Sequence, residues 1–366
     1  MIKNENNNNI NIENNITKLG IINNNKAFKN KNHEYSKEEL QDIPILKTYI
    51  DENFPNLNKH LENFEYLDSG AHSNVYRVNL KKNKNYRIIM KLILKNKRKN
   101  KIMQEILISN KLKNINIINF YKYIPIKNDN SDCIFMEDGK YGNLRFFQDN
   151  IIKNNILSET ILCFFSFQIL KGLNYLYKCK IAHFDLKPQN IIIDSYLNIK
   201  IIDFSESVDY SKIKSDKIKL PFCGTNFYIA PEVIKSKEIN LKDINKVDLY
   251  SLGVILYRLA FGYYPYSLNR EDDDNYEVIY DKITKNNLEF DGIDKSFYSN
   301  HFIEFIKKLL EKDINKRINI TQALENYWIK GAKILNDEKE KLYNINSFLI
   351  GLITDNISNF NKYLGK

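Results

Sequence analysis

The chain has 366 residues, 43% of them apolar and 27% charged, with 55 Lys and Arg against 45 Asp and Glu for a net charge of +10. That length supports about two compact domains or one bilobal one, and the apolar share excludes disorder throughout. No stretch approaches the ~18 uncharged apolar residues of a membrane helix, because the most apolar segment, Ser251 to Ala260, already contains Arg258.

In chain order, residues 1–33 hold thirteen asparagines and almost no aromatic side chains, too little apolar surface to offset ordering entropy, so this segment is expected to be disordered. Residues 34–63 are expected to form a helical extension. Ser36 with Glu39 reads as a capping box, and Leu40, Ile43, Leu46 and Ile50 follow at helical spacing, interrupted near Pro44. From residue 64 to 137, strand-like runs (Val75 to Val78, Arg87 to Leu94, Cys133 to Met136) flank one helical stretch, Lys101 to Leu112. From 138 to 330 the pattern turns helical, with Ser158 to Tyr177, Asp248 to Phe261, His301 to Leu310 and Ile320 to Trp328 as apolar-periodic segments. Short strand pairs interrupt it around Ile191 to Ile193 and Ile199 to Ile202. Residues 331–366 form a partly helical C-terminal extension. The expected class is α+β, a small β-rich lobe, a glycine-bearing hinge and a larger α-helical lobe.

The start, Met1-Ile2-Lys3-Asn4, lacks a signal peptide's apolar run, and Ile2 stands where N-myristoylation needs a glycine. A soluble, intracellular protein is expected, cytoplasmic with the nucleus also open, and no membrane partner. Cys133, Cys163, Cys179 and Cys223 are too far apart for a C-x-x-C pair and too few for a disulfide framework.

The strongest local signal is His183-Phe184-Asp185-Leu186-Lys187-Pro188-Gln189-Asn190. An Asp, a Lys two residues on and an Asn five on can respectively accept a hydroxyl proton, steady a transferring phosphate and ligate Mg²⁺. After the mostly apolar run Ile199 to Ile202, Asp203-Phe204-Ser205 offers a second carboxylate for Mg²⁺. At these residues the sequence resembles the eukaryotic protein kinases, over roughly 64–330. The resemblance implies a bilobal kinase-like fold and an enzyme using ATP and Mg²⁺ on a protein substrate. It implies that Asp185, Lys187 and Thr225 are catalytic and that Asn190 and Asp203 hold metal. It also implies nucleotide contacts from Leu67, Gly70, Val75, Ile89, Lys91, Glu105, Met136, Glu137, Asp138 and Ile192, with Lys91 paired to Glu105. Cys223-Gly224-Thr225 and Ala230-Pro231-Glu232 match the end of the activation segment. Asp248 matches a buried brace of the catalytic loop, and Arg317 the partner of Glu232. The Asp-Leu-Lys-Pro-x-Asn run with Gly224-Thr225 looks like the Ser/Thr kinases.

Several positions depart from the family pattern. Phe184 replaces an Arg, Ser205 a Gly, Ile89 a small Ala, and Asp68 and Ser73 replace glycines over the phosphates. A catalytically silent kinase-like scaffold is therefore the alternative to an active Ser/Thr kinase. The stretch Lys81 to Lys101 carries ten basic residues and no acid, yet no aromatic platform accompanies it, so nucleic acid is not an expected partner. Glu271-Asp272-Asp273-Asp274 reads as an exposed acidic loop, with substrate or partner docking as its alternative.

Overall fold

The computed structural model describes residues 61–70, 73–94, 99–125, 131–151, 156–235, 238–268, 275–290 and 297–341, with 349, 352, 362 and 364. The segments expected to be disordered (1–33) and helical (34–60) lie outside these residues, as does the acidic run at 271–274. The chain divides into two compact units, parted at Lys140, with Ile115–Ile117 belonging to the larger, C-terminal one.

The smaller unit is a five-stranded antiparallel sheet. Its strands are β1 (Leu61–Gly70), β2 (Ser73–Leu80), β3 (Asn83–Leu94), β4 (Phe120–Pro125) and β5 (Ser131–Glu137), in the order β1-β2-β3-β5-β4. Residues 61–63, allotted by their sequence to the helical extension, are therefore strand, and Leu61 is buried in the sheet's core. The two-residue period of strands decides what each face does. Ile88, Met90 and Leu92 of β3 join Tyr66, Tyr76, Val78, Cys133 and Phe135 in one apolar cluster. The alternate residues Ile89, Lys91 and Ile93 point to the other face, where Ile93 and Ile134 pack against Ile102 and Ile106 of helix α1 (Lys99–Lys111). The same period thus sets Lys91 on the helix-bearing face.

The larger unit is built on α3 (Glu159–Lys178), capped by the Ser158 hydroxyl, and α5 (Lys246–Phe261), buried along its whole length. Around these lie α2 (Leu144–Ile151), α4 (Pro231–Ile234), α6 (Tyr276–Lys285) and α7 (Asn300–Leu309). The expected helix from Ile320 to Trp328 is two, α8 (Ile320–Leu324) and α9 (Tyr327–Lys330). Asn326 divides them because its side chain accepts the Trp328 N–H and opens a new helix instead of continuing the old one. Helix α10 (Ala332–Lys341), in the C-terminal extension, buries Ala332 and Leu335, and Lys339 donates to Asn198 at 3.1 Å. The Ser158 hydroxyl donates to the carbonyl of Leu352, so this extension packs onto the start of α3.

Four two-residue or three-residue strand segments shape the loops: β6 (Ile181–Ala182) pairs with β9 (Val208–Asp209), and β7 (Ile191–Ile193) with β8 (Ile199–Ile201). A further pair, β10 (Lys217–Lys219) with β11 (Glu238–Asn240), had no sequence signal. No helix among the described residues is long and apolar enough to cross a membrane.

Candidate active site

In the smaller unit four of the expected nucleotide-contacting residues, Val75, Ile89, Lys91 and Met136, share one sheet face. Val75 lies opposite Lys91, which lies opposite Ile134, and Ile89 lies opposite Met136. Leu67 falls at a register shift in β1, and Gly70 faces Ser73 at the β1–β2 turn. Ile89 is buried, while Leu67, Val75 and Met136 are half-buried. Glu105 stands between Ile102 and Ile106 on the inner stripe of α1, so the packing that seats those isoleucines brings its carboxylate to Lys91, 2.7 Å from Nζ. The carboxylate holds the ammonium in place. Asp138 is held by Arg77, whose Nε lies 2.9 Å from Oδ2, and by Arg87 at 3.3 Å; only its backbone remains to serve a nucleotide. Burial opposes the Arg77 charge, but Asp138 and Glu65 more than offset it, and its pKa is raised. Glu137 accepts from the Asn119 backbone and amide through Oε2. Asp68, facing Val75, is exposed.

In the larger unit the catalytic-loop motif closes into a network. Asp185 Oδ1 accepts from the Thr225 hydroxyl at 2.6 Å, and Oδ2 lies 2.8 Å from Lys187 Nζ and 3.0 Å from Asn190 Nδ2. Lys187 also donates to Thr225 Oγ1 at 2.8 Å. A carboxylate has about four acceptor positions. Three are filled, leaving one on Oδ1 for an incoming hydroxyl. The Asn190 amide also donates to the Asp185 carbonyl, which turns its oxygen away as the atom able to ligate. With Asp203, that makes a hard-oxygen donor set suited to Mg²⁺, a cation bound by few carboxylates plus phosphates. Ile192 is half-buried in β7, and Asn143 bridges to it.

The loop is held from below. The buried Asp248 carboxylate accepts the N–H groups of His183 and Phe184, each at 2.8 Å. Burial raises its pKa, and the interaction with His183 and these two bonds oppose the rise. His183 accepts the Asp185 N–H at Nδ1, so its proton sits on Nε2 and goes to the Ile202 carbonyl at 2.9 Å. Its role is positional. Phe184 and Asp203 both take left-handed backbone (φ 65° and 64°), a cost that side-chain-bearing residues carry mainly at functional sites. Gly224, at φ 104°, faces Phe184 so closely that a Cβ would lie 2.6 Å from its carbonyl oxygen; no other residue fits. Ser205 takes no left-handed conformation, and Phe204 is fully buried edge-on to His183 at 5.5 Å. The serine therefore sits without backbone strain in this arrangement.

The activation segment is tied at several points. Tyr210 is buried, with its hydroxyl on the Tyr177 carbonyl, its N–H on the Lys180 carbonyl and its pKa raised by burial. Glu232 meets Arg317 through two parallel bonds of 2.6 and 2.9 Å. Sequence reasoning missed Arg77 as the holder of Asp138, and Ser207, whose hydroxyl supports the His183 carbonyl. Neither lies in a recognisable motif, because each acts on a residue remote in the chain.

A sheet-based unit carrying a lysine–glutamate pair and a helical unit whose Asp, Lys and Asn are fixed in one loop are the two parts of a protein-kinase-like fold. A family profile for the protein kinase domain matches residues 61–329, and the chain belongs to the eukaryotic protein kinase family. It is similar to a probable myosin light chain kinase of Dictyostelium discoideum, 33% identical over 59% of this chain and 41% of that protein. It is also similar to the probable serine/threonine-protein kinase MARK-A of the same organism, 30% identical over 64% of this chain and 20% of the relative. With CBL-interacting serine/threonine-protein kinase 12 of Arabidopsis thaliana it shares 32% identity over 54% of this chain and 38% of the relative. The chain thus spans less than half the length of each of these curated relatives.

Proposed function

We propose that the chain is an active serine/threonine protein kinase that moves the γ-phosphoryl group of Mg-ATP to a protein hydroxyl. The observation that carries this reading is the Thr225–Asp185–Lys187–Asn190 network, which leaves one acceptor position on a fixed carboxylate. Asp185 orients the substrate hydroxyl and takes its proton, and Lys187 offsets charge on the transferring group. Lys91, held by Glu105, binds nucleotide phosphates, and Asn190 with Asp203 holds the metal. Mg-ATP supplies the phosphoryl group. No disulfide joins the four cysteines, which fits a reducing compartment such as the cytoplasm.

The test is phosphate transfer by the purified protein with Mg-ATP and a mixed peptide substrate, with Asp203→Ala as control. Loss of transfer by at least ~100-fold in the variant is the expected result. Equal rates in both proteins would mean a contaminating kinase, and absence of transfer by the wild type would favour the silent scaffold.

A further inference from the structure

The β7–β8 hairpin joins the two residues assigned to the metal. Its strands pair Ile191 with Ile201, Ile192 with Lys200 and Ile193 with Ile199, and at the open end the Ile202 N–H donates to the Asn190 carbonyl at 3.0 Å. Asn190 enters the hairpin at that end and Asp203 leaves from it, so the rigidity of the hairpin sets how the two stand to each other. The closed end lies three residue pairs away, about 10 Å at ~3.3 Å per residue.

The turn at that closed end, residues 194–198, is strained and tightly held. Leu197 is fully buried in left-handed backbone (φ 60°), a conformation costly to a residue with a Cβ. Its N–H donates to the Asp194 carbonyl at 3.2 Å, and its carbonyl accepts from Gln168 Nε2 at 3.1 Å. Gln168 Oε1 accepts the Ile199 N–H at 3.0 Å, so α3 grips the turn at two points. Asp194, 6% exposed, accepts the N–H groups of Tyr196 and Asn198 at Oδ1 and the Asn198 amide at Oδ2. No lysine or arginine meets this carboxylate directly among the described residues, and a buried carboxylate without compensating charge is costly. The charge arrives through one amide. Lys339 Nζ donates to Asn198 Oδ1 at 3.1 Å, and Asn198 Nδ2 donates to Asp194 Oδ2 at 2.9 Å. The ammonium polarises the amide and strengthens its bond to the carboxylate.

Lys339 lies in α10, beyond the residues 61–329 that the kinase profile matches. Its helix is seated on α3: Ala332 and Leu335 are buried, Lys339 Nζ lies 5.7 Å from the Phe164 ring centre, and the Ser158 hydroxyl donates to the Leu352 carbonyl. Helix α3 therefore carries the hairpin turn through Gln168 and the extension through Phe164. We propose that the C-terminal extension, through Lys339, is a positioning element of the metal site, clamping the closed end of the hairpin so that Asn190 and Asp203 keep their spacing for a divalent cation. The inference rests on the kinase reading for the identity of those ligands. Lys339 touches no reacting atom; it acts through Asn198 and Asp194, so its removal loosens the site without abolishing it.

The experiment measures Mn²⁺ binding by electron paramagnetic resonance on the purified full chain with a non-hydrolysable ATP analogue, Mn²⁺ standing for Mg²⁺ because both take oxygen ligands. Lys339→Met keeps the aliphatic stem near Phe164 and removes the charge. It should weaken Mn²⁺ binding about fivefold, less than the roughly 10–100-fold expected for losing a group bonded to a metal ligand itself. It should also speed amide hydrogen exchange across residues 191–202 and leave the KM for the acceptor peptide unchanged. Lys339→Arg keeps a charged donor and should restore most of the affinity and the protection. Unchanged Mn²⁺ affinity in Lys339→Met overturns the proposal, and so does an equal weakening of Mn²⁺ and peptide binding, which would mark general loosening of the unit. If Lys339→Met does not fold, Asn198→Ala cuts the same relay with α10 in place, and unchanged affinity there overturns the proposal. A wild type that binds Mn²⁺ but transfers no phosphate ends the kinase reading, while the Lys339→Met comparison still decides the clamp. If the wild type binds no Mn²⁺ the clamp falls, and phosphate transfer judges the kinase reading separately.

Discussion

Two buried cation–carboxylate pairs, Lys91–Glu105 in the smaller unit and Arg317–Glu232 in the larger, are built for different ends. Lys91 and Glu105 meet at 2.7 Å with side chains 13% and 7% exposed. Arg317 and Glu232 meet in parallel bonds with side chains 0% and 2% exposed, and the guanidinium also donates to the carbonyls of Lys246 and Glu311 and lies over the Tyr250 ring. An ammonium is a compact charge with rotatable donors, able to hold a carboxylate and still turn toward a phosphate. A guanidinium whose fork faces protein acceptors on every side has no such freedom. The difference separates a charge kept available from a charge used to lock the end of the activation segment onto α5.

The largest effect should come from breaking the sealed pair. Arg317→Ala leaves the Glu232 carboxylate buried without its partner and should cost about 3–5 kcal/mol of stability. Thermal unfolding followed by circular dichroism would show this as a midpoint drop on the order of 10 °C. A loss under about 1 kcal/mol would show that the sealed pair does not lock the fold.

An intermediate effect should come from Asp248, a sealed carboxylate with no lysine or arginine in contact among the described residues. Asp248→Asn turns an amide donor toward one of the two N–H groups the carboxylate now accepts, costing about 1–3 kcal/mol. Its pH dependence has a definite sign. Burial raises the native pKa from the model-compound value of 3.8, so the native state keeps this proton to higher pH than the unfolded chain does. The wild type should therefore lose this contribution as pH rises from about 3.8 through the raised value. Asp248→Asn cannot titrate and should lack that slope; denaturant unfolding of both proteins between pH 3.5 and 7 would reveal a difference, and parallel curves would refute it.

The smallest stability effect, with the clearer functional one, belongs to the open pair. Glu105→Gln should change stability by about 1 kcal/mol or less, since the amide oxygen can still accept a hydrogen bond from the Lys91 ammonium, yet raise the KM for ATP about tenfold by loosening the hold on that ammonium. A stability loss comparable to that of Arg317→Ala, with KM unchanged, would erase the distinction between the two pairs.

Much of this was legible in the chain of letters. The two-residue period around Lys91, the spacing of Asp185, Lys187 and Asn190, and the apolar stripe of α1 each follow from local rules, because a strand or helix fixes which side chains share a face. Boundaries were less so: β1 begins in residues that resembled a helical extension, because sheet pairing with β2 overrides a weak local pattern. The strand pair β10–β11, built from Lys-Ile-Lys and Glu-Ile-Asn, has no signature at all. What the sequence alone determined was the set of reactive groups and their order. What only the tertiary structure decided was which polar groups outside the motifs find partners: that Asp138 is taken by Arg77 from 61 residues away, and that the Ser207 hydroxyl reaches the His183 carbonyl from 24 away. Pairing across such separations depends on how packed elements bring side chains together, and no local propensity encodes it.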